Sequence, residues 1–111
     1  MKAFYSDHFV LPLPENHRFP MQKYARLRQR VRAVLPEVEL SVPGAASDGQ
    51  LALAHEPDYI RRVASGALDA AEVRAIGFPW SEAMVERSRR SAGATIAACR
   101  AALDEGVAVN L

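Results

Sequence analysis

SEAMVERSRRSAGATIAACRAALDEGVAVNL, running from Ser81 to Leu111, decides the fold. Val85, Ser88, Ala92, Ile96, Cys99 and Leu103 recur at spacings of three and four, which draws one continuous stripe down a helix. The stripe is mostly small, so the helix can lie close against a sheet. Arg87, Arg89, Arg90 and Arg100 fall beside or opposite it and are expected to face water. Ser81 suits the N-cap, and Glu82 suits the positive end of the helix dipole. Gly106 stands where a left-handed residue should stop the helix. Val107-Ala108-Val109-Asn110-Leu111 follows without clear alternation, as in a strand covered on both faces of a parallel α/β sheet. In such folds ligands bind beyond the carboxyl ends of the strands.

Working outward, 111 residues suit one domain, and half of them are hydrophobic, which argues against disorder. Fourteen basic residues against 13 acidic ones leave a net charge of +1, which predicts neither a nucleic-acid nor a membrane partner. The single cysteine, Cys99, excludes an internal disulfide and lies on the inward stripe, so a buried, unreactive thiol is expected. No signal peptide or membrane span is visible, which predicts a cytoplasmic location.

Lys2 to Ser6 reads as a first strand, and Asp7 to Pro20 as a long loop broken by Pro12, Pro14 and Pro20. Met21 to Leu35 is a helix with Tyr24, Leu27, Val31 and Val34 on its apolar stripe and Lys23, Arg26, Arg28, Arg30 and Arg32 around the rest; Pro36 stops it. Five cations on one helix suit a solvated face better than a nucleic-acid site, given the near-zero net charge. Val38 to Val42 alternates apolar and polar residues, the pattern of a sheet edge. Ser47 with Gln50, and Asp69 with Glu72, form capping-box patterns for two short helices. Leu51 and Leu53 should supply the buried side of the first. Pro57 opens another helix, ended by Gly66, with Tyr59, Ile60 and Val63 inward.

The chemistry-bearing residues do not assemble into a catalytic site by spacing. His8, His17 and His55 have no metal-ligand spacing, no Gly-rich phosphate loop follows a strand, and most carboxylates sit in helix first turns. His55 and Tyr59 are four apart and read as a buried histidine beside a packing tyrosine. Arg18, in the long loop beside His17, would be costly to bury unpaired.

Several strings, in order along the chain, resemble the N-terminal part of the histone deacetylase superfamily. They are Phe4-Tyr5-Ser6, His17-Arg18-Phe19-Pro20-Met21, Ala54-His55-Glu56-Pro57-Asp58-Tyr59-Ile60, Ile76-Gly77-Phe78-Pro79-Trp80-Ser81, Gly93-Ala94-Thr95 and Ala101 to Leu111. The second and fourth look most like the branch nearest the class IV deacetylases, within a superfamily that includes bacterial deacetylase-like proteins and acetylpolyamine amidohydrolases. The resemblance implies the N-terminal portion of a three-layer arginase/deacetylase-like parallel sheet, with strand order 2-1-3 and flanking helices. It implies that residues 1–111 are a fragment of a single domain whose remainder is absent. The implied activity is zinc-dependent hydrolysis of acetyl-amides of the acetyl-lysine or acetylpolyamine type.

In relatives the paired catalytic histidines and the zinc ligands come later, so this chain alone should be inactive and bind no zinc. Arg18 matches an arginine lining the product channel, while His17, His55 and Tyr59 belong to matching structural motifs. Near Gly77-Phe78 the acidic rim residue of class I enzymes is missing, which puts their mode of peptide-backbone recognition in doubt. The alternative is a stand-alone binding module using the basic helix Met21–Leu35. The Val107–Leu111 strand, open on one side, is expected to promote self-association.

Overall fold

A computed structural model describes residues 1–111. Strands β1 (Lys2–Phe4), β2 (Glu39–Ser41) and β3 (Ala108–Asn110) form a parallel sheet in the order β2-β1-β3. Ala3 lies opposite Leu40 on one side and Val109 on the other. The expected order and direction hold, and β2 is an edge. Each strand is shorter than the run that announced it, because the chain turns away once the ladder is spent. Tyr5 N still donates to Ser41 O and Leu111 N to Phe4 O, but Ser6 O already accepts from Phe9 N in a turn.

Local chemistry sets the helix ends. α1 (Lys23–Val34) starts later than expected from Met21, since Met21 and Lys23 donate to Phe19 O and Pro20 O in a turn. Both capping boxes form: Ser47 with Gln50 at α2 (Asp48–Leu51), and Asp69 with Glu72 at α4 (Ala70–Ile76). Pro57 opens α3 (Pro57–Ser65), which Gly66 ends in the left-handed conformation. α5 (Glu82–Glu105) starts at Ser81, whose Oγ accepts from Met84 N at 3.0 Å. It stops at Gly106, with φ of 88°.

The direction of α5 follows from its two ends. Arg87 Nη1 donates to Ser6 O, just past β1, while Glu105 near the far end pairs with Lys2 at 2.9 Å. The helix therefore runs antiparallel to β1, with its N-terminal turns at the carboxyl ends of the strands. No helix is long and apolar enough to cross a membrane.

The buried face of α5 differs from the expected stripe. Met84, Arg87, Gly93, Ala94 and Ala98 are buried, on faces well round the helix from Val85, Ser88, Ala92, Ile96, Cys99 and Leu103. Gly93 and the alanines allow the closest approach, so they win the inner position. Cys99 is exposed, not a buried thiol, and Leu103 is 88% exposed. Arg87, expected to face water, is buried.

Two other expectations fail locally. Leu53 lies past the end of four-residue α2 and is 89% exposed, and His55 precedes α3 and is exposed rather than buried. No residue of α1 is buried, and Leu27 and Val34 on its stripe are about half exposed. Only 12 of 111 residues are buried, none of them a large side chain sealed off completely, so the core is thin.

α3 and α4 are tied by charge. Arg62 holds Glu72 through both carboxylate oxygens at 2.6 Å and Asp58 at 3.0 Å. Hydrogen bonds from Arg61 and then Arg62 lower the Asp58 pKa, and Arg62 followed by the Asp69 backbone N–H lowers that of Glu72. A carboxyl depressed in the folded state stabilises it above the unfolded pKa and loses that contribution as pH falls through the folded one. The folded protein should therefore lose stability as pH drops below the ordinary Glu value of 4.5. Glu72→Gln should melt below the parent at pH 7, with the gap closing near pH ~3. A gap of equal size at both pH values would remove the ion pair from the account.

Candidate functional site

The loop after β1 and the turn before α5 meet beyond the carboxyl ends of the strands. Phe19 N donates to His17 Nδ1 at 3.1 Å, so Nδ1 is an acceptor and Nε2 carries the proton. Nε2 then donates to Gly77 O at 3.3 Å, joining segments 60 residues apart. The His17 ring stacks on Phe78 at 5.6 Å, and Phe19 meets Phe78 edge-on at 5.1 Å. His17 thus acts as a clip between the two strings.

Beneath this clip lies Arg87. Its Nη1 donates to Ser6 O at 3.1 Å and Phe9 O at 3.2 Å, and its guanidinium carbon sits 4.5 Å from the centre of the Tyr24 ring. Lys23 Nζ lies 4.8 Å from the Phe19 ring and 5.0 Å from Tyr24. Phe19, Tyr24, Phe78, Met84, Arg87 and Thr95 are among the walls of a cleft of about 430 Å3. Asn110, at the end of β3, reaches α5 by donating to Thr95 Oγ1 at 2.9 Å. The sequence reading missed Arg87 because an arginine among arginines looks like surface. The signal available was its place one turn from Met84 and Ser91 on an otherwise small-residue face.

The residues singled out by sequence are not all brought together. Arg18 is exposed and makes no ion pair or side-chain hydrogen bond, and it does not line the Arg87 cleft. His55 and Tyr59, with rings 5.9 Å apart, line a separate apolar cleft of about 240 Å3 between α3, α4 and α5. Of the cations of α1, Arg28 is a structural one. It grips the nearly buried Asp7 carboxylate through two bonds, of 2.7 and 2.9 Å, which raises the Arg28 pKa. Arg26, Arg30 and Arg32 stay exposed with no acidic partner.

A zinc ion needs three protein ligands and an open position for catalysis. No three His, Cys, Asp or Glu side chains converge, so the donor set of this chain does not fit such an ion.

No protein-family model matches the chain. It is 36% identical over 108 residues to an uncharacterized protein of Picosynechococcus sp.. That similarity covers 96% of this chain and 36% of the relative, so the chain spans about a third of the length of the protein it matches.

Proposed function

We propose that this chain is the N-terminal segment of a zinc-dependent, deacetylase-like amidohydrolase of the arginase/deacetylase fold, acting on acetyl-lysine or acetylpolyamine-type amides. The observation that carries the reading is the His17 clip. The two strings most like the class IV branch, His17 to Met21 and Ile76 to Ser81, meet through His17 and Gly77 at the strand ends, where ligands of open α/β sheets bind. The strand order β2-β1-β3 agrees with it. The zinc ligands and the acid/base histidines would belong to sequence outside these 111 residues, and the chain alone is inactive. Arg18, exposed and unpaired, is free to be covered by that further sequence and to hold a carboxylate product bidentately.

The test is the polypeptide that carries this segment together with its downstream sequence. It should hold stoichiometric zinc and release acetate from acetyl-lysine or acetylpolyamine substrates until a chelator is added. Arg18→Ala should slow turnover about tenfold, the equivalent of one charge-assisted hydrogen bond of ~1.5 kcal/mol, at unchanged melting temperature. A folded polypeptide without zinc and without turnover on either substrate class would sink the reading.

A second reading, a binding module using the helix Met21–Leu35, is favoured by the unpaired Arg26, Arg30 and Arg32. It requires affinity for a polyanion that falls steeply with salt and falls further in Arg30→Ala.

A further inference from the structure

We propose that the cleft at Arg87 is a binding site for a small carboxylate carried on an apolar body. Arg87 is 9% exposed, and no carboxylate pairs with it in an ion pair. A buried cation without a counter-charge is costly, and two carbonyl acceptors offset only part of that cost. Both of those bonds use Nη1. Nε–H and the Nη2 amino group have no protein partner, yet no side-chain nitrogen in the molecule is both sealed and unpaired. The unused edge of the fork therefore reaches the solvent of the cleft, and that edge is the one that takes a carboxylate through two parallel bonds.

The remaining walls choose the body and the charge of the ligand. Leu11, Phe19, Phe78 and Met84 are apolar, and none of the lining residues is acidic. Two of the four hydroxyls there are engaged: Ser88 Oγ donates to Met84 O, and Thr95 Oγ1 donates to Ser91 O while accepting from Asn110, which leaves those of Tyr24 and Ser91. A phosphate dianion, with three anionic oxygens to satisfy, would find one guanidinium edge and only the Tyr24 and Ser91 hydroxyls among mostly apolar walls. A monocarboxylate needs two N–H groups for its head and apolar surface for its tail, which is what the cleft holds. Lys23, over the Phe19 and Tyr24 rings, adds positive field from the same side. The site stands apart from the deacetylase reading, since it uses only residues present in this chain and requires no turnover.

Titration calorimetry on the protein, with sodium benzoate, butyrate, acetate and phosphate at constant ionic strength, tests it without an activity assay. Benzoate and butyrate should bind, acetate more weakly, and phosphate most weakly. Arg87→Lys should weaken benzoate at least tenfold, and Phe78→Ala should erase the preference for benzoate over acetate. Binding of none of the carboxylates by the folded polypeptide, or phosphate binding as tightly as benzoate, would overturn the proposal. So would benzoate affinity unchanged in Arg87→Lys. Where Arg87→Lys fails to fold by circular dichroism, Phe78→Ala decides: a lost preference supports the site, and a retained one refutes it.

Discussion

The isolated 111-residue chain is expected to self-associate and to unfold with a stability below about 3 kcal/mol, rather than behave as a stable monomer. The reason is uncovered apolar surface set against a thin core. β3 pairs with β1 on one side only, and Val107 and Val109 on either side of Ala108 are 54% and 37% exposed. Leu103 on α5 and Leu27, Val34 and Leu35 on or beside α1 are exposed as well. At ~25 cal/mol per Å2, a few hundred Å2 of such surface forgoes several kcal/mol. An open strand edge with apolar flanks also offers backbone groups to another chain. Size-exclusion chromatography should show elution that moves earlier with concentration, and a urea melt should be shallow. Val109→Lys should reverse the concentration dependence, because a charged residue on an edge strand blocks pairing. A monomer with a cooperative transition of several kcal/mol would instead mark a self-sufficient domain and favour the binding-module reading.

Helix ends were legible because each rests on a local signal, whereas the strand order came from the resemblance and from the alternation that marks Val38 to Val42 as an edge. Ser47, Asp69, Pro57, Gly66 and Ser81 act within one turn of themselves, and all five do what their chemistry predicts. The phase of α5 was not legible. The helix has two low-polarity faces about 160° apart, one running through Val85, Ala92 and Ile96 and the other through Ala94 and Ala98. Periodicity finds both and cannot say which one meets the sheet. Close approach settles it, and close approach depends on Gly93, whose partner is a loop some fifty residues earlier. The candidate site divides the same way. His17 was singled out by resemblance, but its bond to Gly77 spans 60 residues and no spacing rule reaches that far. Arg28 was hidden in a run of cations whose solvated appearance hides the one that Asp7 holds.

Gly93→Ala should destabilise the protein by about 2 kcal/mol, although alanine is the better helix former by ~1 kcal/mol. A Cβ built there would collide with Gly44 O and stand 3.0 Å from Gly44 C. Those are backbone atoms, which cannot swing aside as a side-chain tip can, so the Pro43–Ala46 loop must lift away from α5. Three bonds go with it: Ala46 N to Arg89 O at 2.9 Å, Arg89 Nη1 to Ala46 O at 3.2 Å, and Arg90 Nη1 to Pro43 O at 3.0 Å. At about 1 kcal/mol each they outweigh the gain in helix propensity. Ala46, now 2% exposed, would also meet water.

Gly49 in α2 supplies the opposite sign. Its Cβ would find only Ser47 Oγ, at 3.9 Å, so Gly49→Ala should raise stability by up to ~1 kcal/mol. Melting temperatures of the two variants against the parent decide the matter. If Gly93→Ala stabilises as Gly49→Ala does, the helix and the loop are not in backbone contact, and the account of why α5 turns its small residues inward fails with it.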